Sequence, residues 1–140
     1  MQVTKAKIPT RLVRKIATYI ISHYLPQEKD YKLGIYFVDQ TEMIRLNKRF
    51  FNRKYATDVI AAPLETTSNL PIVLLGEVFI CMDTALRQAR EYRHSYSAEI
   101  SLLVVHGILH LLGFDDLKPR ARKKMRQEER KILTAMGIIE

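Results

Sequence analysis

The chain has 140 residues and a formal net charge of +8, with 47% hydrophobic and 27% charged residues. It is long enough to bury one core, too apolar for a disordered chain, and basic enough to make a polyanion a reasonable partner. No apolar run reaches the roughly 18 residues of a membrane span, no secretory n-region and h-region open the chain, and the single cysteine, Cys81, excludes an internal disulfide, so a reducing cytoplasm is the expected location.

Met1 to Lys7 alternates weakly and is expected to form a short strand. Pro9 and Thr10 open a helix, since proline is tolerated in a first turn. Its apolar stripe is Leu12, Val13, Ile16, Tyr19, Ile20 and Tyr24, with Arg11, Arg14 and Lys15 in water and His23 structural near its end. After a polar turn from Pro26 to Asp30, Lys32 to Asp39 reads as a strand. Thr41 is the expected N-cap of a helix from Glu42 to Phe50, with Met43, Ile44, Leu46 and Asn47 facing inward.

Asn52 to Ala56 is a basic loop, Asp58 to Leu64 a second strand closed by Pro63, and Glu65 to Leu70 a loop without periodicity. Ile72 to Met82 contains a further strand, interrupted by Gly76 and Glu77. Side-by-side pairing of these strands would bring Asp58 and Glu77 toward one cleft. Asp83 is expected to cap a helix through Tyr92, with a break at Arg93-His94-Ser95. Ser97 is the expected cap of the next helix, and Lys118 and Pro119 begin a last one that runs to about Met136 and stops at Gly137. Strands and helices alternate without repeats or linkers, which implies one domain over residues 1–140. The fold class is α+β, a single layer of about four mixed strands packed on helices.

The chemistry concentrates in His106-Gly107-Ile108-Leu109-His110-Leu111-Leu112-Gly113-Phe114-Asp115-Asp116. The run from Ser101 to Leu112 is almost wholly apolar. Either histidine alone would read as a hydrogen-bonded core residue. Together they lie one turn apart on one helical face, at about 3.6 residues per turn, where two imidazoles converge on one ion. Gly113 ends the helix, and the turn beyond it returns Asp115 or Asp116 toward the imidazoles. Two imidazoles and one carboxylate suit Zn²⁺ and leave a fourth position open. Gly107 weakens the helix by about 1 kcal/mol relative to alanine, so the missing side chain implies room for an ion, a substrate or a close backbone.

This run resembles the pattern H-G-x-L-H-L-x-G-[YF]-D-H of the YbeY family of bacterial rRNA-maturation endoribonucleases. His106 and His110 match the first two ligand positions of that pattern, and Asp116 occupies the third, where the family has histidine. Thr57-Asp58-Val59-Ile60, Leu75-Gly76-Glu77-Val78-Phe79-Ile80 and the stretch from Gln88-Ala89 to His94-Ser95 resemble further family motifs in the same order. Phe51 falls on a family arginine and Arg53 on a lysine, so the charge that steadies a phosphate is expected from Arg49, Arg53 or Lys54. The resemblance implies a central metal-binding helix, one zinc per chain, a single-stranded or ribosomal RNA substrate, and contact with the small ribosomal subunit.

Residue chemistry leans the same way. Zinc peptidases of the His-Glu-x-x-His type place a general base beside the first histidine, and here that position is Gly107. Lys118, Arg120, Arg122, Lys123, Lys124, Arg126, Arg130 and Lys131 follow the metal run closely, with Lys123, Arg126 and Arg130 on one helical face. Phosphates could lie along that face, with Glu128 and Glu129 partly cancelling its charge. Two alternatives stand beside the endoribonuclease: a non-catalytic ribosome-assembly factor with a structural metal, and a metal hydrolase acting on another substrate.

Overall fold

A computed structural model describes residues 7–64 and 71–139. The first strand and the loop expected at Glu65 to Leu70 lie outside the described residues. The elements are α1 (Thr10–Tyr24), β1 (Asp30–Val38), α2 (Gln40–Phe51), β2 (Val59–Pro63), β3 (Ile72–Cys81), α3 (Met82–Glu91), α4 (Tyr96–Leu111) and α5 (Pro119–Ala135). Among the described residues the sheet has three strands rather than four, in the order β1-β3-β2, with β3 parallel to β1 and antiparallel to β2. The class is α+β with a mixed sheet, as the sequence implies.

The central strand is irregular for a local reason. Lys32 pairs with Leu74 and Leu33 with Gly76, so Leu75 is an extra residue on β3. Gly76 has φ +141, and a Cβ there would strike the Ala62 carbonyl oxygen of β2. A residue without a side chain is therefore needed where the strand bulges.

Alternation along β3 divides the interior. Val78 and Ile80 join the larger core, with Val13, Ile16 and Ile20 of α1, Met125, Ile132 and Leu133 of α5, and most of α4. Cys81 and the partly buried Phe79 face the other way, against Met43 and Leu46 of α2. Ile100, Leu103, Val104, Val105, Ile108 and Leu109 are all buried, so α4 is apolar around nearly its whole circumference. Each such side chain contributes roughly 1.5–3 kcal/mol by leaving water. Helix α4 packs on α1, α3, α5, β2 and β3, and is the post around which the fold is built.

Gly107 lies on the contact between α4 and the sheet. A Cβ there would sit 2.5 Å from Val78 Cγ1 and 3.2 Å from Val59 Cγ2. Of the three uses the sequence suggests for this glycine, the observed one is close packing on the strands.

Three caps differ from expectation. Asp39, not Thr41, caps α2, accepting from the Glu42 amide at 2.8 Å. Ser95, not Ser97, caps α4, accepting from the Ala98 amide at 3.0 Å. Cys81 occupies the N-cap of α3, and Asp83, inside its first turn, instead accepts from the Gln40 amide at 2.7 Å and joins α3 to α2. In the first two cases a residue of equal capping chemistry stands two positions earlier, and the longer helix wins by adding backbone hydrogen bonds. His23 stacks on Tyr19 within α1, centroids 4.0 Å apart, in a structural role.

Candidate metal centre

Helix α4 buries three of its faces and leaves His106 and His110 half-buried on the fourth. Their Nε2 atoms are 3.1 Å apart, and the rings meet edge to face. Leu112 caps the helix and Gly113 follows with φ +102, which turns the chain back over its last turn. That turn separates the two aspartates. Asp115 Oδ1 accepts from the Leu117 amide at 3.1 Å, whereas Asp116 Oδ2 lies 3.8 Å from His106 Nε2. One donor atom from each of His106, His110 and Asp116 falls within 4.8 Å of the others.

The donor set fits a small divalent ion. Tetrahedral zinc with imidazole nitrogens at about 2.0–2.1 Å sets its ligand atoms about 3.3–3.4 Å apart. The 3.1 Å and 3.8 Å separations lie on either side of that value.

A fourth residue completes the arrangement, and sequence reasoning missed it. His106 Nδ1 lies 2.5 Å from Glu129 Oε2, a largely buried carboxylate of α5. A proton on Nδ1 shared with Glu129 leaves the Nε2 lone pair facing His110 and Asp116. The signal was present in α5: Met125, Glu128, Ile132 and Leu133 are buried at helical spacing, and Glu129 adjoins that stripe. Of the two glutamates, Glu128 partly cancels the charge of α5, as the sequence suggests, whereas Glu129 is turned toward His106. Glu128 accepts from the Tyr24 hydroxyl at 2.5 Å and pairs with Lys124 and Lys131. Arg122, Lys123, Arg126 and Arg130 stay exposed along a shallow groove.

The two imidazoles are tuned in opposite directions. Burial alone would lower the His106 pKa, but the hydrogen bond and charge of Glu129, with Asp116 and Asp58 adding, raise it above the ordinary histidine value. Burial, then the neighbouring His106, lower that of His110. A cation at Nε2 would compete only with protonation of that nitrogen, so its affinity would fall as pH is lowered.

Asp58 reaches this field, as its effect on His106 shows, and its Oδ2 lies 3.4 Å from Gln88 Nε2. Glu77 is placed elsewhere, beside the Tyr36 hydroxyl, whose pKa it raises. His94 Nε2 is 2.7 Å from Glu99 Oε1, tying the break before α4 to a buried carboxylate in its first turn. Burial raises the Glu99 pKa, with Asp58 adding and His94 opposing. Arg49, Arg53 and Lys54 are exposed at the end of α2 and in the loop after it. They make no ion pair with the His106, His110 and Asp116 group among the described residues. Phe51, at the position of the family arginine, is 47% exposed, with the Arg53 guanidinium 5.4 Å from its ring centre.

The family model described as endoribonuclease YbeY matches residues 1–137. The chain belongs to the YbeY family. Endoribonuclease YbeY of Alkaliphilus metalliredigens is 34% identical over 141 residues, covering 96% of this chain and 91% of that protein. Endoribonuclease YbeY of Desulforamulus reducens is 40% identical over 114 residues, covering 78% and 74%. The solution structure of a Thermotoga maritima protein matches the fold with a TM-score of 0.65 at 24% identity, over 94% of this chain and 85% of that one. YbeY proteins are thus named for cutting RNA internally, a hydrolytic activity, and the His106, His110 and Asp116 group gives this member a site able to bind a metal ion.

Proposed function

We propose that this chain, folded as one metallohydrolase domain over residues 1–140, is a zinc-dependent endoribonuclease. It cuts single-stranded RNA during ribosomal RNA maturation in the cytoplasm. The observation that carries the reading is the convergence of the His106 and His110 Nε2 atoms and the Asp116 carboxylate, within 4.8 Å, in a member of an endoribonuclease family. These three residues would hold the ion, which would supply Lewis acidity and make water more acidic.

The protein's own groups do the rest. Glu129 fixes the ring of His106, and the buried shell of α4 keeps the rotamers of both imidazoles narrow. Gly107 places no carboxylate beside the first histidine, where a peptidase would hold its base. Arg49, Arg53 and Lys54 grip the scissile phosphate. The exposed Arg122, Lys123, Arg126 and Arg130 draw in the polyanion and suit contact with ribosomal RNA of the small subunit.

The test is cleavage of a single-stranded ribosomal RNA fragment, the same fragment annealed to its complement, and an uncharged ester, across a salt series. The proposal expects cleavage of the single strand alone, weakening steeply with salt and abolished in His110→Ala. A His110→Ala protein that cuts as well as wild type would sink it. Binding of ribosomal RNA without cleavage, in a protein that unfolds only when its metal is stripped, would establish the assembly-factor reading instead.

A further inference from the structure

Helix α2 covers only part of the sheet face opposite α4. Beside it, Tyr36 of β1 stands against its register partner Phe79 of β3, with ring centroids 5.2 Å apart and planes 21° from parallel. Phe50 continues the row 6.1 Å from Phe79, and Phe51 follows 6.4 Å from Phe50. Tyr36, Phe50 and Phe51 are 44%, 41% and 47% exposed. Rings of this size ordinarily dominate a core, and a contiguous exposed row marks a binding surface.

The charge around the row is uneven. Arg49 lies 5.8 Å from the Phe50 ring centre and Arg53 5.4 Å from that of Phe51, with Lys54 exposed next in the chain. None of these cations has a carboxylate partner among the described residues. At the other end Glu77 lies beside the Tyr36 hydroxyl.

We propose that Phe50, Phe51, Phe79 and Tyr36 form a stacking platform for unpaired RNA bases, with phosphates held at the Arg49, Arg53 and Lys54 end. The inference rests on the RNA reading above and adds how the strand is gripped. Flat apolar faces flanked by guanidinium groups without a carboxylate partner among the described residues match a polymer that alternates aromatic bases with anionic phosphates. A duplex hides its base faces, so the platform also supplies the preference for single strands. Glu77 repels the backbone at the Tyr36 end, which sets the phosphates toward α2. A guanidinium on one face of Phe51 leaves the rest of that ring open to a base.

The experiment is fluorescence-anisotropy binding of a short 2′-O-methyl oligonucleotide, which resists cleavage, and of an abasic strand of equal length and charge. Wild type should prefer the base-bearing strand by about 5- to 140-fold, the range that stacking one base gives. Phe51→Ala and Phe50→Ala should each reduce that preference and the double variant should erase it, whereas Phe51→Trp should keep it. Arg53→Ala should weaken both strands alike and flatten the salt dependence. Both rings are exposed, so unchanged circular dichroism is expected of each variant.

Equal affinity of wild type for the two strands, with RNA cleavage intact, would overturn the platform and leave the endoribonuclease reading standing. Failure to bind either strand, without cleavage, would remove both. Self-association by sedimentation that Phe51→Ala abolishes, with RNA binding unchanged, would reassign the row to a dimer interface.

Discussion

His106 Nδ1 and Glu129 Oε2 are 2.5 Å apart, across the contact between α4 and α5. A helix that reads as a basic surface element therefore sets the orientation of an imidazole in the candidate metal site. Carboxylates placed behind a ligating histidine raise its basicity and hold its tautomer. Glu129→Ala is expected to weaken zinc binding about 10- to 100-fold in a competition titration against a chromophoric chelator. Glu129→Gln keeps an acceptor for Nδ1 without the charge and should fall between that variant and wild type. Equal affinity in all three proteins would mean that Glu129 serves only the packing of α5.

The two aspartates beyond α4 should separate cleanly. Asp115 is spent on the Leu117 amide, and Asp116 faces the imidazoles. Asp116→Ala should lose the ion, while Asp115→Ala keeps it. Asp116→His restores a softer nitrogen ligand and should shift selectivity toward zinc over harder ions such as Mn²⁺. Isothermal titration with both metals checks it, and an Asp115→Ala protein without metal would reverse the assignment.

Gly107 should resist substitution for a steric reason. An added methyl meets Val78 Cγ1 at 2.5 Å, so α4 must move off the sheet. Overpacking of this kind costs about 1–3 kcal/mol, against about 1 kcal/mol gained in helix propensity. Gly107→Ala should lower the thermal midpoint and weaken metal binding together, because the displaced turn carries His106. A variant as stable as wild type would show that α4 can slide without penalty.

Acid should loosen the contact between α1 and α5. The Tyr24 hydrogen bond, with help from Lys124 and Lys131 and against burial, holds the Glu128 pKa below its ordinary 4.5. A carboxylate depressed by folding adds stability that is complete above the unfolded value and is lost as pH falls through the folded one. Wild type should thus lose denaturant stability faster than Glu128→Gln as pH drops below 4.5. Parallel curves for the two proteins would contradict the assignment.

Much of this was legible in the chain. The alternation of strands and helices gave the class, and two histidines one turn apart before a glycine stop marked the centre. Cap positions were not legible, because Asp39 and Thr41, or Ser95 and Ser97, offer the same chemistry two residues apart and only the final helix length decides. Strand order was hidden as well, since nothing local says that β3 pairs on both edges. Glu129 escaped because a charged residue on a charged helix reads as solvated until its place beside the buried stripe of Met125, Glu128 and Ile132 is weighed. The row from Tyr36 to Phe51 draws on three elements, and pairing alone brings it together.

The most direct measurement is the metal content of wild type and His106→Ala, each purified without added metal and each assayed on ribosomal RNA. The account predicts one zinc per chain in wild type, with metal and cleavage both lost in the variant. A variant that kept its zinc, or lost it and went on cutting, would contradict the claim that His106, His110 and Asp116 form the catalytic centre.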